Sequence, residues 1–442
     1  MHNELISYID KEHLFNTKDV ILLTVSGGVD SVVMCELFHS AGLPFAIAHC
    51  NFQLRATESD EDELFVKQLA SHYNVPFHHT RFETEAFAKK NKFSTQVAAR
   101  ELRYEWFEKI RIQHRYHFIA TAHHQGDIIE TFFINLIRGT GISGLRSIVP
   151  KQGKIIRPLL FAAKKDILAY AEKNKINYRE DSSNVSDKYL RNKIRHHLIP
   201  VLNEFSPVAE SSILHSIENL RETEFIYKQT IESIRLKICK KKGNAVLIAI
   251  PELQKLNPVS TYLYELLKPY GFNTSTASAI LKNFKAESGK QFFSSTHRLV
   301  KDRSMLILEP IESSTIPNEF TIGADQNEFK TQELELLFHI TTRGLEAGIA
   351  LSTDLAAIDL DKLNFPLTVR KWKTGDTFYP LGMKGKKKLS DFFIDNKLSL
   401  PEKENTWLLC SGEKIVWVIG MRLDERFKIS RTTKSILLVQ RK

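Results

Sequence analysis

The segment of this sequence best suited to chemistry is a short run of glycine, serine and aspartate. It reads Ser26-Gly27-Gly28-Val29-Asp30-Ser31. Two adjacent glycines let the backbone approach an anion closely and adopt positive φ angles, and the two serines add hydroxyl donors. Asp30 would repel a bare phosphate, so its carboxylate is better explained as a ligand of Mg²⁺ on the phosphates. The run therefore predicts a loop that binds the phosphates of a magnesium nucleotide.

Two better-known phosphate motifs do not describe this chain. It has no GxxxxGK[ST] sequence, since Gly289-Lys290 is followed by Gln291, so the site is not a Walker A loop. Residues 139–144 match GxGxxG, but they follow a predicted helix instead of a strand, which argues against a dinucleotide fold. We expect 139–144 to form a flexible loop that lines a site.

Three further segments carry polar side chains near the ends of predicted strands, where open α/β sheets bind ligands. They are His49–Arg55, Ala98–Tyr104 and His123–Thr131. In the second segment, Arg100 and Arg103 could hold phosphates through bidentate hydrogen bonds. An arginine pair on an amphipathic helix can also be a simple solvated face.

The third segment predicts a helix with an acidic face. Its apolar positions at helical spacing should point inward; they are Ile129, Phe132, Phe133, Leu136 and Ile137. Asp127, Glu130 and Thr131 then group on a different face. These carboxylates are candidates for proton transfer, although Asp127 could instead only cap its helix.

These segments need a scaffold, and the first 150 residues alternate short apolar runs with helical patterns. The predicted strands are Val20–Val25, Phe45–Ala48, Val75–His79 and His117–Thr121. Helical patterns over Val32–Phe38 and Glu61–Asn74 separate the first three of them. This alternation is typical of the α/β class with a doubly wound parallel sheet.

The rest of the chain changes in character. Residues 209–285 have a helical pattern, 290–365 mix short β-like runs with acidic loops, and short strands and turns follow Phe365. We predict a catalytic domain over 1–215 and a mainly helical middle domain over 216–330. A linker and a small basic α+β C-terminal domain should occupy 331–442.

Charge is concentrated in two stretches. The chain has a net charge of +10, of which residues 361–442 contribute +9, with 18 Lys and Arg against 9 Asp and Glu. Residues 151–200 hold 12 basic and 5 acidic side chains. Two separated basic stretches suit a polyanion larger than a nucleotide, which favours nucleic-acid binding.

The composition of the chain indicates its cellular compartment and excludes some classes of protein. Four cysteines in 442 residues, none in a CxxC pair, exclude a disulfide framework. No apolar run approaches the length of a transmembrane helix, and the first residues do not resemble a signal peptide. We therefore expect a cytoplasmic protein with no membrane partner.

The Ser26–Ser31 run resembles the pyrophosphate loop of the N-type ATP pyrophosphatase (PP-loop) family. Further segments, in the same order and at similar spacing, resemble the tRNA(Ile)-lysidine synthetase family. Those in the first half are His49–Arg55, Ala98–Tyr104, His123–Thr131, Arg138–Gly141, Arg157–Leu159, 180–184, Arg191-Asn192 and Arg195. Those near the end include Arg370, Trp372, Asp376, Lys387-Lys388-Leu389 and Arg426-Phe427. One departure is Gly126, where the family often has an acidic residue.

This resemblance implies a ligase that consumes ATP. The carbon-2 oxygen of the wobble cytidine in a CAU-anticodon isoleucine tRNA is adenylylated, free lysine attacks through its ε-amine, and AMP leaves. Asp127, with Glu130 second, is our candidate for orienting the lysine and accepting its proton. Arg100 and Arg103 would neutralise the departing pyrophosphate with Mg²⁺ on Asp30, and His49 would join the ATP-binding loop.

The resemblance also implies that the middle domain over 216–330 and the C-terminal domain over 331–442 bind the tRNA. The tRNA would be held by basic residues in both stretches. The candidates are Arg55, Arg191, Arg195, Lys386, Lys387 and Lys388. The family also allows a homodimer. Three alternatives stay open on the sequence: a tRNA thiolation enzyme of the same superfamily, a non-catalytic RNA-binding protein, and an amide-forming synthetase that acts on a small metabolite.

Overall fold

In a computed structural model, the N-terminal part of the chain is built around a six-stranded sheet. The structure describes residues 1–54, 57–179, 190–311, 317, 319–342 and 352–442. The strands are β1 (Ile21–Thr24), β2 (Phe45–Asn51), β3 (Phe77–Arg81), β4 (Phe118–Ala120), β5 (Lys151–Gln152) and β6 (Ile155–Ile156). Their order is β3-β2-β1-β4-β6-β5, and all neighbours are parallel except β5 and β6.

Eleven helices of the described chain start within this part. They are α1 (His2–Lys11), α2 (Val29–Ser40), α3 (Thr57–Tyr73), α4 (Thr84–Asn91), α5 (Thr95–Gln113), α6 (Gln125–Ile137), α7 (Ile142–Leu145), α8 (Lys164–Lys173), α9 (Leu190–Lys193), α10 (Ile199–Phe205) and α11 (Ala209–Ile238). A π-helical turn, Ile194–Leu198, joins α9 to α10.

The sheet is covered on both faces, as predicted for a doubly wound fold. Side chains alternate along β1: Ile21 and Leu23 join a core with α1, α2 and α8, whereas Leu22 packs with Phe107 and Ile110 of α5 on the opposite face. The predicted strands and helices of the first 150 residues are all present. A buried parallel sheet leaves its carboxyl edge open for ligands.

The second part of the chain begins with a small α+β layer. Its strands are β7 (Cys239–Lys242), β8 (Ala245–Ala249), β9 (Lys290–Phe293), β10 (His297–Asp302) and β11 (Met305–Pro310), in the antiparallel order β7-β8-β11-β10-β9. Helices α12 (Ile250–Gln254), α13 (Val259–Leu267) and α14 (Thr274–Lys282) pack on this sheet. The helices are those expected for the middle domain, and the sheet is an addition. Strand β7 is mostly lysine, so no apolar run marks it.

Two further sheets share a core near the C-terminus. One contains β12 (Glu319–Ile322), β16 (Leu367–Lys371), β19 (Trp407–Ser411), β20 (Lys414–Val418) and β21 (Arg422–Leu423). The other contains β13 (Glu328–Lys330), β14 (Glu335–Thr342), β15 (Leu355–Asp359) and β22 (Ser435–Arg441). A two-stranded ribbon, β17 (Thr377–Phe378) with β18 (Lys387–Lys388), precedes α15 (Leu389–Asp395) and α16 (Leu400–Glu404).

The domain boundaries differ from those predicted. The chain divides into two compact units, 1–228 and 229–442. The predicted boundary at 215 falls inside α11, whose apolar pattern runs on with neither proline nor glycine to end it. The predicted boundary at 330 is also displaced, because β12 pairs with β16 and so belongs to the C-terminal sheets. Among the described residues, no helix combines the length and apolar character needed to cross a bilayer.

Candidate active site

The Ser26–Ser31 loop connects β1 to α2 at the carboxyl edge of the sheet. Gly27 has φ of +97°, a conformation that a side chain would strain, and Gly28 is the N-cap of α2. The Ser31 hydroxyl donates to the Gly28 carbonyl at 2.9 Å, which fixes the turn. The N–H groups at the start of α2 therefore form the kind of anion site expected at a helix N-terminus.

Residues beneath the loop hold its backbone. His49 is buried, and its Nδ1 lies 2.8 Å from the Val25 carbonyl oxygen, so it supports the strand that leads into the loop. Burial lowers the pKa of His49, which favours the neutral ring. The backbone N–H of Arg179, which is not among the predicted residues, donates to the Gly27 carbonyl at 3.0 Å.

Asp30 has a cationic partner that is also absent from the predicted set. Lys164 Nζ lies 2.6 Å from Asp30 Oδ1. Lys164 is the first residue of α8, where a positive charge opposes the helix dipole. No local sequence pattern marks this contact, because the two residues are 134 positions apart.

Asp127 both caps α6 and carries a charge. Its Oδ2 accepts the His124 N–H at 3.0 Å, and the His124 ring in turn accepts the Gly126 N–H, which forms a capping box. Burial opposes ionisation of Asp127, but His124, His123 and the accepted N–H together hold its pKa below the ordinary value. A Cβ at Gly126 would lie 2.8 Å from the His124 ring, which accounts for glycine at this position.

Glu130 is almost fully buried and forms ion pairs with two arginines. Arg195 Nε donates to its Oε1 at 2.6 Å, and Arg191 Nε lies 3.2 Å from its Oε2. Arg191 also donates to Thr131 Oγ1 at 3.1 Å. Burial raises the pKa of Glu130, against the opposing effect of Arg195. Both guanidinium groups, predicted as tRNA contacts, thus lie on α6 beside Asp127.

The apolar side of α6 is narrower than predicted. Ile128 and Ile129 are buried as core positions, whereas Leu136 and Ile137 are exposed at the end of the helix. The GxGxxG loop begins directly after α6 and leads into α7, which agrees with its rejection as a dinucleotide motif.

His123, which is partly buried, interacts electrostatically with Asp127, and the buried Arg157 interacts with His123. His123 Nδ1 lies 2.8 Å from the Thr121 hydroxyl, and burial lowers the pKa of His123 to about 4, so the ring is neutral at physiological pH. Arg157 Nη1 donates to the Val149 carbonyl at 2.7 Å. The two hydrogen bonds hold the His123 ring and the Arg157 side chain in place.

Arg100 and Arg103 project from α5 into solvent. The Arg100 guanidinium carbon is 4.8 Å from the Tyr104 ring centroid, and that of Arg103 is 4.9 Å from the Phe52 ring. Within the described ranges neither has an acidic partner, so both charges are available to a ligand. Phe107, further along α5, is instead buried against the sheet.

The predicted tRNA contacts are dispersed. Lys386 and Lys388 are exposed in the second unit, whereas Lys387 is partly buried and pairs with Asp395. Arg55 and residues 180–184 lie outside the described residues.

The cysteines are poorly suited to sulfur transfer. Burial raises the pKa of all four thiols, to about 12 for Cys50 and about 11 for Cys410. A thiol that stays protonated is a weak nucleophile. Among the described residues, no group of three or more His, Cys, Asp or Glu side chains could hold a metal ion by itself.

The loop geometry and the parallel sheet define an ATP pyrophosphatase of the PP-loop class. Family comparisons agree: residues 2–202 match the PP-loop domain, 241–311 the TilS substrate binding domain, and 367–439 the TilS substrate C-terminal domain. The chain belongs to the tRNA(Ile)-lysidine synthase family, and it is a ligase that uses ATP.

The relatives match along their whole length. A tRNA(Ile)-lysidine synthase of Bacteroides thetaiotaomicron is 40% identical, with 99% of each chain covered. That of Parabacteroides distasonis is 43% identical over 98% of each chain. That of Porphyromonas gingivalis is 36% identical, over 97% of this chain and 95% of its own.

Proposed function

We propose that this chain joins free L-lysine to carbon-2 of the wobble cytidine in a CAU-anticodon isoleucine tRNA. First, the carbon-2 oxygen attacks the α-phosphorus of ATP, which gives an adenylylated tRNA and pyrophosphate. Second, the lysine ε-amine attacks carbon-2, the carbon–oxygen bond to AMP breaks, and lysidine forms. Family membership supports this choice among the reactions that begin at a pyrophosphate loop.

The observation that carries the proposal is that Arg195, which is bound to the acidic cluster, also lies within electrostatic range of the loop. Arg195 binds Glu130 and also interacts electrostatically with Asp127 and Asp30. A phosphate site therefore adjoins carboxylates that can attract an ammonium group. A reaction of ATP with an amine as the second substrate requires both.

Charge neutralisation at the phosphates would come from several groups. The N–H groups of the loop, with Arg100 and Arg103, would stabilise the departing pyrophosphate. Asp30 would hold Mg²⁺, because Mg²⁺ in phosphate sites takes one or two carboxylates with phosphate oxygens, and Asp30 offers one part-exposed carboxylate. When bound, this ion neutralises phosphate charge.

Lysine must attack as a neutral amine, although a free lysine side chain has a pKa of about 10.4. Asp127, which is ionised, would orient the ammonium group and receive its proton. Glu130 is better assigned as a positioning residue, since its oxygens are already bound to Arg191 and Arg195. These arginines would then contact the tRNA or the adenylyl phosphate near the reacting base.

The remaining parts of the proposal concern the tRNA. The target base must leave its stack, because its carbon-2 cannot be reached otherwise. Lys386–Lys388 and Arg55 are proposed as phosphate contacts along the tRNA, where their charge suits the backbone. We also propose that the protein is cytoplasmic and that it forms a homodimer. Mass photometry at the assay concentration would test the homodimer.

A thiolation enzyme of the same superfamily is the main alternative. That chemistry needs a reactive thiolate or a metal cluster. The raised thiol pKa values make this alternative weaker.

The test is AMP formation from ATP by the full chain with an unmodified CAU-anticodon isoleucine tRNA transcript. The assay is run with and without lysine, beside a methionine tRNA with the same anticodon. We expect lysine to enter the isoleucine transcript alone. ATP cleavage without lysine incorporation would favour thiolation, and no ATP cleavage by folded protein would favour an RNA-binding protein.

A further inference from the structure

The pairing of Lys164 with Asp30 is not explained by folding alone. The two residues are 134 positions apart, and their side chains are 44% and 29% exposed, so solvent screens their attraction. Exposed pairs of this kind contribute little to stability. Lys164 also occupies the first position of α8, where the helix dipole repels a cation. Local structure therefore gives no reason for a lysine here.

The backbone around Lys164 is nevertheless held firmly against the site. The Gln125 N–H donates to the Ala162 carbonyl at 3.0 Å, and the Gln125 side chain donates to the Phe161 carbonyl at 2.8 Å. Gln125 is the first residue of α6, the helix that carries Asp127. Ala162 and Ile167 are buried on either side of Lys164. These contacts fix the backbone from which the Lys164 side chain reaches Asp30 in the loop.

The loop itself contains no cationic side chain. A Walker A loop includes a lysine for the β- and γ-phosphates, but Ser26–Ser31 has only an aspartate. We infer that Lys164 supplies this charge: it binds the β- and γ-phosphates of ATP and then the released pyrophosphate. In the free enzyme Asp30 holds the Lys164 ammonium, and the entering phosphates take it over, which frees the Asp30 carboxylate for the nucleotide's Mg²⁺. This inference rests on the proposed ATP-dependent function.

The inference predicts which ligands depend on Lys164. We would measure binding of α,β-methylene-ATP, inorganic pyrophosphate and AMP to the full chain by calorimetry, with Mg²⁺ and without tRNA. Lys164→Met should weaken the first two by about 10- to 100-fold, the value of a charge-assisted hydrogen bond. AMP binding should change less than about twofold, because AMP lacks both phosphates. Lys164→Arg keeps the charge and should restore most of the affinity.

Lys165→Met is the matched control, since Lys165 is the next residue of α8 and is also exposed. It should bind all three ligands like the unchanged chain. Equal weakening of AMP and the triphosphate analogue in Lys164→Met would overturn the inference, as would unchanged binding or an equal effect of Lys165→Met. If the unchanged chain binds the analogue but makes no lysidine, the proposed function fails while the role of Lys164 is still decided. If it does not bind the analogue, both fail.

Discussion

Glu130 in the first unit and Asp424 in the second are both buried carboxylates bound by arginine, yet their surroundings differ. Asp424 accepts the N–H groups of Tyr379 and Arg426 and two further bonds from the Arg426 side chain. Glu130 is bound through the side chains of Arg191 and Arg195, which remain more than one third exposed. A carboxylate that accepts backbone N–H groups holds a chain segment in place. A carboxylate that binds part-exposed arginines holds their guanidinium groups where a ligand can reach them.

The same distinction applies to other charges of the second unit. Arg370 forms two hydrogen bonds with Asp376, both at 2.8 Å, and this pair closes the turn after β16. Several residues that carry the family resemblance in this region therefore maintain the fold. Lys386 and Lys388, which we propose as tRNA contacts, are exposed instead.

The largest expected effect is on stability, from Asp424→Ala. Loss of this carboxylate leaves Arg426 and two N–H groups without their acceptor, which should cost about 3–5 kcal/mol. Urea unfolding would measure the loss. Below the unfolding transition, binding of α,β-methylene-ATP should be unchanged, because the nucleotide site belongs to the first unit. An unfolding midpoint of Asp424→Ala equal to that of the unchanged chain would show that Asp424 does not stabilise the second unit.

Asp127→Asn should affect chemistry far more than stability. The amide oxygen can still accept the His124 N–H, so the melting temperature should stay within a few degrees, whereas loss of the charge should reduce lysidine formation by about 100-fold or more. Asp127→Ala is the comparison, since it also removes the cap and should cost about 1 kcal/mol in addition. Full lysine-dependent turnover by Asp127→Asn would refute its role.

Stability should also fall in mild acid because of His123. Its pKa is about 4 in the folded chain and about 6.5 when unfolded, so the unfolded state takes up the proton first as the pH falls. The free energy of unfolding should decrease between these values, by up to about 3 kcal/mol. Urea titrations across this range, with His123→Gln as the variant, would measure it. An identical pH slope in the variant would contradict the burial of a neutral ring.

The smallest effect is expected for the exposed lysines. Lys386→Gln should weaken tRNA binding a few-fold and reduce the slope of log affinity against log salt by up to about 1. Lys387→Gln should change the slope less, because Lys387 already pairs with Asp395. Filter binding at several salt concentrations distinguishes the two. A larger change of slope for Lys387→Gln than for Lys386→Gln would show that the paired lysine, and not the exposed one, contacts the tRNA.

The strand and helix patterns before residue 150 predicted β1 to β4 of the catalytic sheet, most clearly where a buried strand is a continuous apolar run, as in β1. The two-residue strands β5 and β6 were not predicted, because they are too short to form a pattern. The Ser26–Ser31 loop was predictable for a similar reason, since its residue types are sufficient for the turn. Lys164 was not, because it reaches Asp30 across 134 residues and no local pattern records that contact. The β7–β8 hairpin was missed because the lysines of β7 conceal an edge strand.

The two edge strands of the catalytic sheet affect how readily the protein could pair with other chains. One edge ends with the two-residue strand β5, where Lys151 donates to the carbonyl groups of His13 and Leu14. The other edge is β3, whose exposed face carries His79 and Arg81 in contact with Glu63. Short strands and charged side chains are poor templates for strand addition. Both edges of this sheet are therefore poorly suited to pairing with a strand of another chain.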